Sequence, residues 1–189
     1  MDVLEAIRTR RSVKRMTDVV PSRKDVEELI DAAVWAPNHR FTQPWRFFVV
    51  AGDERERISS ELAETVSLDV DALVPENAKR IEKARSILLQ APVVIAVTSV
   101  LNDDPEVQAE DCAATWMAVQ NLTLAAWDKG IASKVRTPPE IHTSTFRNLL
   151  GVGEDCQIVG LVALGYAAKN GVPPPRERDA ETTVWLGWN

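Results

Sequence analysis

Two kinds of apolar pattern alternate irregularly along the chain. Apolar residues spaced three or four positions apart predict six helices, at residues 2–9, 22–35, 53–70, 76–89, 110–129 and 140–150. Runs rich in β-branched and aromatic residues predict four strands, at residues 47–51, 93–100, 131–135 and 157–166. Because these elements do not form a regular strand–helix–strand series, the pattern predicts a single α+β domain over residues 1–189.

Three of the predicted elements have informative surfaces. The helix 110–129 is apolar almost all round, as expected in a core or a subunit interface. The helix 76–89 is highly charged on its exposed side, so it is either a plain surface helix or a mobile cover. The strand 93–100 is nearly continuous in β-branched residues, which indicates burial on both of its faces.

The composition argues against several classes of function. The chain has 189 residues, 45% hydrophobic and 26% charged, with a net charge of −6. An acidic chain is not expected to bind nucleic acid. No signal peptide and no apolar run of membrane-spanning length is visible, so we expect a cytoplasmic protein without a membrane partner. Two distant cysteines and two histidines, without metal-ligand spacing, predict no metal site.

A dense positive segment lies near the start of this acidic chain. Arg10, Arg11 and Lys14 flank Ser12 within five residues. One interpretation is a solvated charged turn. The other is an anion clamp, because arginine forks match phosphate oxygens and a serine hydroxyl adds a neutral donor.

A polar loop connects the helix 22–35 to the strand 47–51. Pro37 and Pro44 bracket a turn that contains His39, one of only two histidines. A polar loop fixed between a helix and a buried strand is a common place for a ligand to bind. An ordinary helix-to-strand connection has the same features, so the loop alone does not decide between the two.

The order and spacing of three pieces resemble the nitroreductase family of FMN-dependent oxidoreductases, and most closely its small, single-domain NAD(P)H nitroreductases. The pieces are Arg10-Arg11-Ser12-Val13-Lys14, then Ala36-Pro37-Asn38-His39 with Gln43-Pro44-Trp45-Arg46-Phe47, then Val135-Arg136-Thr137. The resemblance implies a three-layer sandwich in which helices flank a central, mainly antiparallel sheet. It also implies a homodimer that has one FMN in each interface crevice and a C-terminal arm extended onto the partner subunit.

The resemblance assigns the first piece to the cofactor's phosphate and ring edge. Arg10, Arg11 and Ser12 would contact the phosphate and the edge of the flavin. Lys14 would lie near the pyrimidine side, where a cation would stabilise the negative charge of the reduced ring.

The resemblance assigns five further cofactor contacts. Trp35 and His39 would reach FMN from the partner subunit, and Val135, Arg136 and Thr137 would form a second contacting segment. Trp35 stands where related chains often have arginine, and an indole there would stack on the cofactor.

The C-terminal tail is expected to contact a second subunit. The proline-rich residues 171–175 predict an extended arm. The apolar residues that follow it are Val184, Trp185, Leu186 and Trp188. Exposed aromatic side chains favour a partner surface, and packing onto the tail's own domain is the alternative. Arg176 and Arg178 resemble a basic pair that holds phosphate in longer family members.

The activity implied by the resemblance is ping-pong hydride transfer. NADH or NADPH would reduce FMN, and a nitroaromatic, a quinone or a related small-molecule electron acceptor would then reoxidise it. This chemistry requires no protein nucleophile, so no catalytic side chain is assigned. The alternatives are a flavin carrier or sensor without turnover and an anion-binding module without flavin.

Overall fold

A four-stranded antiparallel sheet forms the middle of the computed structural model, which describes residues 1–71, 73–169, 173, 175 and 182–187. Its strands are β1 (Trp45–Ala51), β2 (Val93–Val100), β3 (Ala132–Arg136) and β4 (Cys156–Gly165). The spatial order is β1-β2-β4-β3, so β1 and β3 lie at opposite edges of the sheet. No described strand pairs with the outer side of β1.

Six α-helices pack around this sheet in the described part of the chain. They are α1 (Val3–Thr9), α2 (Arg23–Ala33), α3 (Glu54–Leu68), α4 (Pro75–Arg85), α5 (Pro105–Asp128) and α6 (Ser144–Leu149). Short 3-10 helices occupy His39–Phe41 and Pro139–His142. Within these residues, no helix combines the length and the apolarity that a membrane crossing requires.

Two apolar clusters cover the two faces of the sheet. On one face α3, α4 and α6 contribute to a cluster that includes Leu62 and Phe146. On the other face α2 and α5 contribute to a cluster that includes Leu29 and Leu122. The strand β2 lies between them and is buried along seven of its eight residues, so its predicted burial on both faces is confirmed. The predicted three-layer arrangement is also confirmed.

The helix α2 begins at its predicted start, because Ser22 caps its first turn. The backbone amide of Asp25 donates to Ser22 Oγ at 3.1 Å, and Ser22 Oγ in turn donates to the Asp25 carboxylate. A side-chain oxygen at this position satisfies an amide that has no partner inside the helix and stabilises the helix by about 1 kcal/mol.

Three predicted helix boundaries were wrong. The helix α5 begins at Pro105, five residues before the predicted start, because Asp104 caps it by accepting from the Glu106 amide at 2.9 Å. The helix α4 ends at Arg85, and the predicted last turn is an irregular segment that buries Ile87 and Leu88. The predicted helix 140–150 is two pieces, because Thr143 adopts an extended conformation and starts a new helix by accepting from the Phe146 amide.

The described part of the tail is apolar and exposed. Val184, Trp185 and Leu186 are exposed to solvent, and the indole of Trp185 is 67% accessible. The predicted contacts of Arg176, Arg178 and Trp188 lie outside the described residues.

Candidate functional site

The segment that follows α1 runs along the edge of the sheet beside β3. Ser12 forms a parallel bridge with Ser133, and the Val13 amide donates to the Ser133 carbonyl at 3.0 Å. Further along, the Thr17 amide donates to the carbonyl of Tyr166, just after β4, at 2.8 Å. Because Val13 is also fully buried, backbone bonds and core packing together fix the position of this positive segment.

Two cations of β3, Lys134 and Arg136, lie close enough to Lys14 of this segment for their charges to interact with one another. Burial lowers the pKa of Lys134, and the positive charges of Arg136 and Lys14 lower it further. Burial likewise lowers the pKa of Arg136, and Glu140 partly opposes this effect. A lysine that loses its proton more easily because of neighbouring cations lies in a field that favours an anion. The structure therefore brings together Lys14 and Arg136, which the sequence predicted, and adds Lys134, which it did not.

The predicted segment 135–137 divides between two environments. The side chain of Val135 packs against the apolar cluster of α2 and α5. Arg136 points to the other face, where Nη1 donates to the Ile87 carbonyl at 2.9 Å. Thr137 is exposed just after β3. The side chains of Val135 and Arg136 therefore lie on opposite faces of the sheet, and of the two only Arg136 lines the cleft described below.

The two arginines of the positive segment differ in surroundings. Arg11 is only 7% exposed, and its Nη1 donates to the carbonyls of Arg8 at 2.7 Å and Arg10 at 2.9 Å. This guanidinium holds the turn after α1. Arg10 is the C-cap of α1 and is half-buried, and its amide donates to the Ala6 carbonyl. The structure therefore gives Arg11 a role in the turn that the sequence did not predict.

A cleft of about 800 Å³ opens between α4 and the end of β3. Cations and carboxylates line it together with two prolines: Glu76, Lys79, Arg80, Lys83, Gln90, Arg136, Pro138, Pro139 and Glu140. Lys134 Nζ reaches the same side, where it donates to Gln90 Oε1 at 3.4 Å. The charged helix α4 therefore forms one wall of a cleft next to the three cations.

The loop that carries Trp35 and His39 has an unusual backbone. Arg40, Phe41 and Gln43 all have positive φ, at 57°, 52° and 45°, and they are the only described non-glycine residues that do. A side chain in this left-handed region costs about 1 kcal/mol per residue. Such strain persists only where surrounding contacts impose it, often at functional sites.

Contacts to the N-terminal half of α5 hold this loop. His39 Nδ1 lies 2.8 Å from Glu110 Oε2, and Thr42 Oγ1 donates to Asp111 Oδ1 at 2.5 Å. Within the loop, the Gln43 amide donates to the side-chain oxygen of Asn38 at 3.0 Å. These bonds fix the strained turn against a rigid helix.

The loop and the positive segment lie far apart within one protomer. The loop meets α5 at Glu110, whereas the residue before Arg10, Thr9, accepts a hydrogen bond from Trp127 Nε1 at 2.9 Å near the other end of that helix. A helix rises 1.5 Å per residue, so these two contact points are about 26 Å apart along the axis. The sheet topology also separates the two regions, because the loop leads into β1 and the positive segment flanks β3 at the opposite edge. One protomer therefore does not bring His39 and Ser12 to one small ligand.

Several residues of these two regions were not predicted from the sequence. Lys134 is a charge within a strand that otherwise lines the core, and this signal was available in the sequence. Glu110 and Asp111 begin the predicted helix 110–129, but their contacts span 71 and 69 residues. No local pattern reports contacts over such separations. Among the described residues, no cluster of three or more potential metal ligands occurs.

Comparison with known proteins gives a consistent result. The sequence profile of the Nitroreductase family matches residues 7–166. The "Putative NAD(P)H nitroreductase YdjA" of Escherichia coli K12 is 30% identical over 166 residues, which are 87% of this chain and 88% of that protein. The "Putative NAD(P)H nitroreductase YfhC" of Bacillus subtilis is 26% identical over 164 residues, 86% of this chain and 82% of that protein.

Solved structures share the fold over the whole chain. A nitroreductase-like family protein from Bacillus cereus has a TM-score of 0.84 and 27% identity, covering 100% of this chain and 97% of that one. A nitroreductase with bound FMN from Bacteroides fragilis has a TM-score of 0.76 and 23% identity, covering 98% and 99%. The predicted fold class is confirmed by these similarities, and together with the profile match they establish that the chain belongs to the nitroreductase family.

Proposed function

We propose that this protein is an FMN-dependent NAD(P)H oxidoreductase that reduces nitroaromatics, quinones or related electron acceptors. The family and the names of its NAD(P)H nitroreductase relatives support an oxidoreductase. The observation that carries the proposal is the convergence of Lys14, Lys134 and Arg136 beside Ser12, next to a cleft of about 800 Å³.

The residues present fit a flavin mononucleotide. A phosphate requires charge-assisted donors, which Ser12, Arg136 and Arg10 would supply. Burial lowers the pKa of Lys134 most, and an anion would offset the further lowering by the charges of Arg136 and Lys14. Lys14, at the same edge, would hold positive charge near the pyrimidine side of the ring.

FMN, when bound, supplies the hydride chemistry, so no catalytic side chain is assigned. The chain's residues orient the cofactor and set the charge around it. NADH or NADPH and the electron acceptor would occupy the same cleft in turn, as a ping-pong mechanism requires. The charged wall formed by α4 would shield the occupied cleft from part of the solvent.

The proposal includes a homodimer whose sites are completed across the interface. The α5 contact of His39 lies about 26 Å along the helix axis from that of Thr9, which precedes the positive segment. In the proposed dimer, a second copy therefore supplies His39, and the nearby Trp35, to the same cofactor. Trp35 is 85% exposed, as a side chain that meets a partner would be. The exposed apolar tail around Trp185 supports an arm that lies on the partner subunit.

An absorbance spectrum tests cofactor and reaction together. The purified protein should show the yellow flavin spectrum, and anaerobic NADH or NADPH should bleach it. Bound flavin that neither donor bleaches would favour the flavin carrier or sensor. Colourless protein that takes up no added FMN would contradict the proposal.

Alanine variants test the clamp. Arg10→Ala and Ser12→Ala should lower FMN affinity at least tenfold, because each removes a charge-assisted hydrogen bond. The matched control is Arg23→Ala, which removes an exposed arginine that pairs with Glu27 on α2. Unchanged flavin content in both clamp variants would show that this segment does not hold the cofactor.

A further inference from the structure

We propose that Glu110 and Asp111 are positioning residues that hold the loop 35–44 in the conformation in which Trp35 and His39 contact FMN across the dimer. The inference rests on the proposed function, since it concerns the same cofactor site. It assigns a role to two acidic residues that contact no part of the positive segment.

Both acidic residues act on the loop through side-chain contacts. Glu110 Oε2 lies 2.8 Å from His39 Nδ1, so the carboxylate fixes the orientation of the imidazole ring. Asp111 is 4% exposed and accepts from Thr42 Oγ1 at 2.5 Å. The two contacts are three residues apart on the loop and adjacent on α5, so they fix its orientation as well as its position.

The loop they hold would otherwise relax. Arg40, Phe41 and Gln43 lie in the left-handed region, which side chains rarely adopt. These three residues lie between or beside the two anchored positions. The strained backbone therefore depends on the two carboxylates, and the loss of either one would let the turn move.

The aromatic side chains in and beside the loop do not pack on their own protomer. Phe41 is 87% exposed and Trp35 is 85% exposed. His39, the residue bonded to Glu110, is also exposed. A loop that is held rigidly while its aromatic side chains face outward is suited to contact something outside the protomer.

Graded substitution at Glu110 gives the first test. Apo-protein would be titrated with FMN and binding followed by quenching of flavin fluorescence. Glu110→Ala should weaken FMN binding about tenfold and Glu110→Gln less, since glutamine still accepts a hydrogen bond. The control Glu106→Ala removes an exposed carboxylate one turn earlier on α5 and should leave the affinity unchanged.

Substitutions at Thr42 test the second contact without replacing buried Asp111 itself. Thr42→Val should weaken FMN binding, whereas Thr42→Ser keeps the hydroxyl and should restore it. The visible circular dichroism of bound flavin should change in Glu110→Ala, because the asymmetric contacts around the ring change. The Tm of Glu110→Ala apo-protein should stay within about 2 °C of that of the unaltered apo-protein, because the partner of Glu110, His39, is exposed.

Mixed dimers decide whether the loop acts across the interface. A Glu110→Ala protomer would be co-expressed with a protomer that carries Arg10→Ala and Ser12→Ala, and the mixed dimer isolated by two affinity tags. One of its two sites then combines an intact clamp with an intact loop from the other protomer. Half of the sites should bind FMN with the affinity of the unaltered protein.

Each outcome has a separate meaning. If the unaltered protein binds no FMN, the proposed function fails and the inference fails with it. If the unaltered protein binds FMN and Glu110→Ala binds it equally well, only the positioning role is overturned. If no site recovers in the mixed dimer, the loop does not act across the interface.

Discussion

Replacing Gly165 with alanine tests how the positive segment is docked. Gly165 is the last residue of β4, and its φ is not positive, so its backbone conformation is open to alanine. A Cβ at this position would lie 2.9 Å from Pro92 Cδ, 3.1 Å from Pro92 Cγ and 3.2 Å from Met16 Sδ. Ordinary contacts of a Cβ are at 3.4–4 Å. The proline ring cannot rotate away, and Met16 belongs to the segment that flanks β3.

Two effects of opposite sign determine the result. Loss of a glycine removes unfolded-state entropy and stabilises the fold by about 0.5–1 kcal/mol where no clash occurs. Overpacking in a filled site costs about 1–3 kcal/mol. The cost of the clash should therefore exceed the entropic gain, and the free energy of unfolding should fall by about 1 kcal/mol. For a chain of this size, such a loss lowers Tm by about 3 °C.

Urea unfolding at a fixed protein concentration measures this loss, since oligomerisation makes stability concentration-dependent. The midpoint should fall by about 0.4 M. Displacement of Met16 should also weaken FMN binding, because Met16 lies two residues after Lys14, which the proposal places near the flavin ring. The control Gly153→Ala meets only the flexible side chain of Asp155 and should change stability little. A Gly165→Ala protein as stable as the parent would refute the close packing that fixes the segment.

Two further predictions concern charge and strain. Lys134→Met should raise the free energy of unfolding of the apo-protein by about 0.5 kcal/mol at neutral pH, because burial, Arg136 and Lys14 disfavour the lysine charge. In the parent, the lowered pKa means that the unfolded chain binds more protons, so stability should rise with pH between that pKa and the ordinary value of 10.5. This rise should be reduced in Lys134→Met, and equal pH slopes in urea unfolding would contradict the assignment. Arg40→Gly should raise the free energy of unfolding by no more than about 0.5 kcal/mol. Glycine removes the cost of the positive φ, but it also adds conformational entropy to the unfolded chain, and the first effect is only slightly larger. Arg40→Val should lose more than about 1 kcal/mol in thermal unfolding, and the reverse order would show that the turn is not strained.

The sequence predicted the elements that have a strong local signal. The nearly continuous run of β-branched residues at 93–100 was sufficient to place β2 at its observed bounds. The predicted start of α2 at residue 22 coincides with its observed N-cap, Ser22. The start of α5 was missed because Pro105 to Ala109 looks polar, although Asp104 followed by proline is a known helix-start pattern. Thr143 divided the last predicted helix because its hydroxyl can cap a new one.

The candidate site was predictable only in part. The basic residues near Ser12 are close in sequence, and their surplus of charge was visible. Their proximity to Lys134 depends on the pairing of Ser12 with Ser133, which lies 121 residues away. The contacts of His39 and Thr42 with α5 likewise depend on tertiary packing. Contacts between residues so far apart in the sequence are determined by the tertiary fold, and no local sequence pattern indicates them.

The open side of β1 has a consequence for how the protein must be handled and made. Backbone amides and carbonyls along that side have no partner among the described strands, and an unprotected edge is a template for another strand. A newly synthesised protomer would therefore be prone to aggregate until something covers this edge. Its yield from cells should depend on how fast it finds that cover, as well as on the stability of its core.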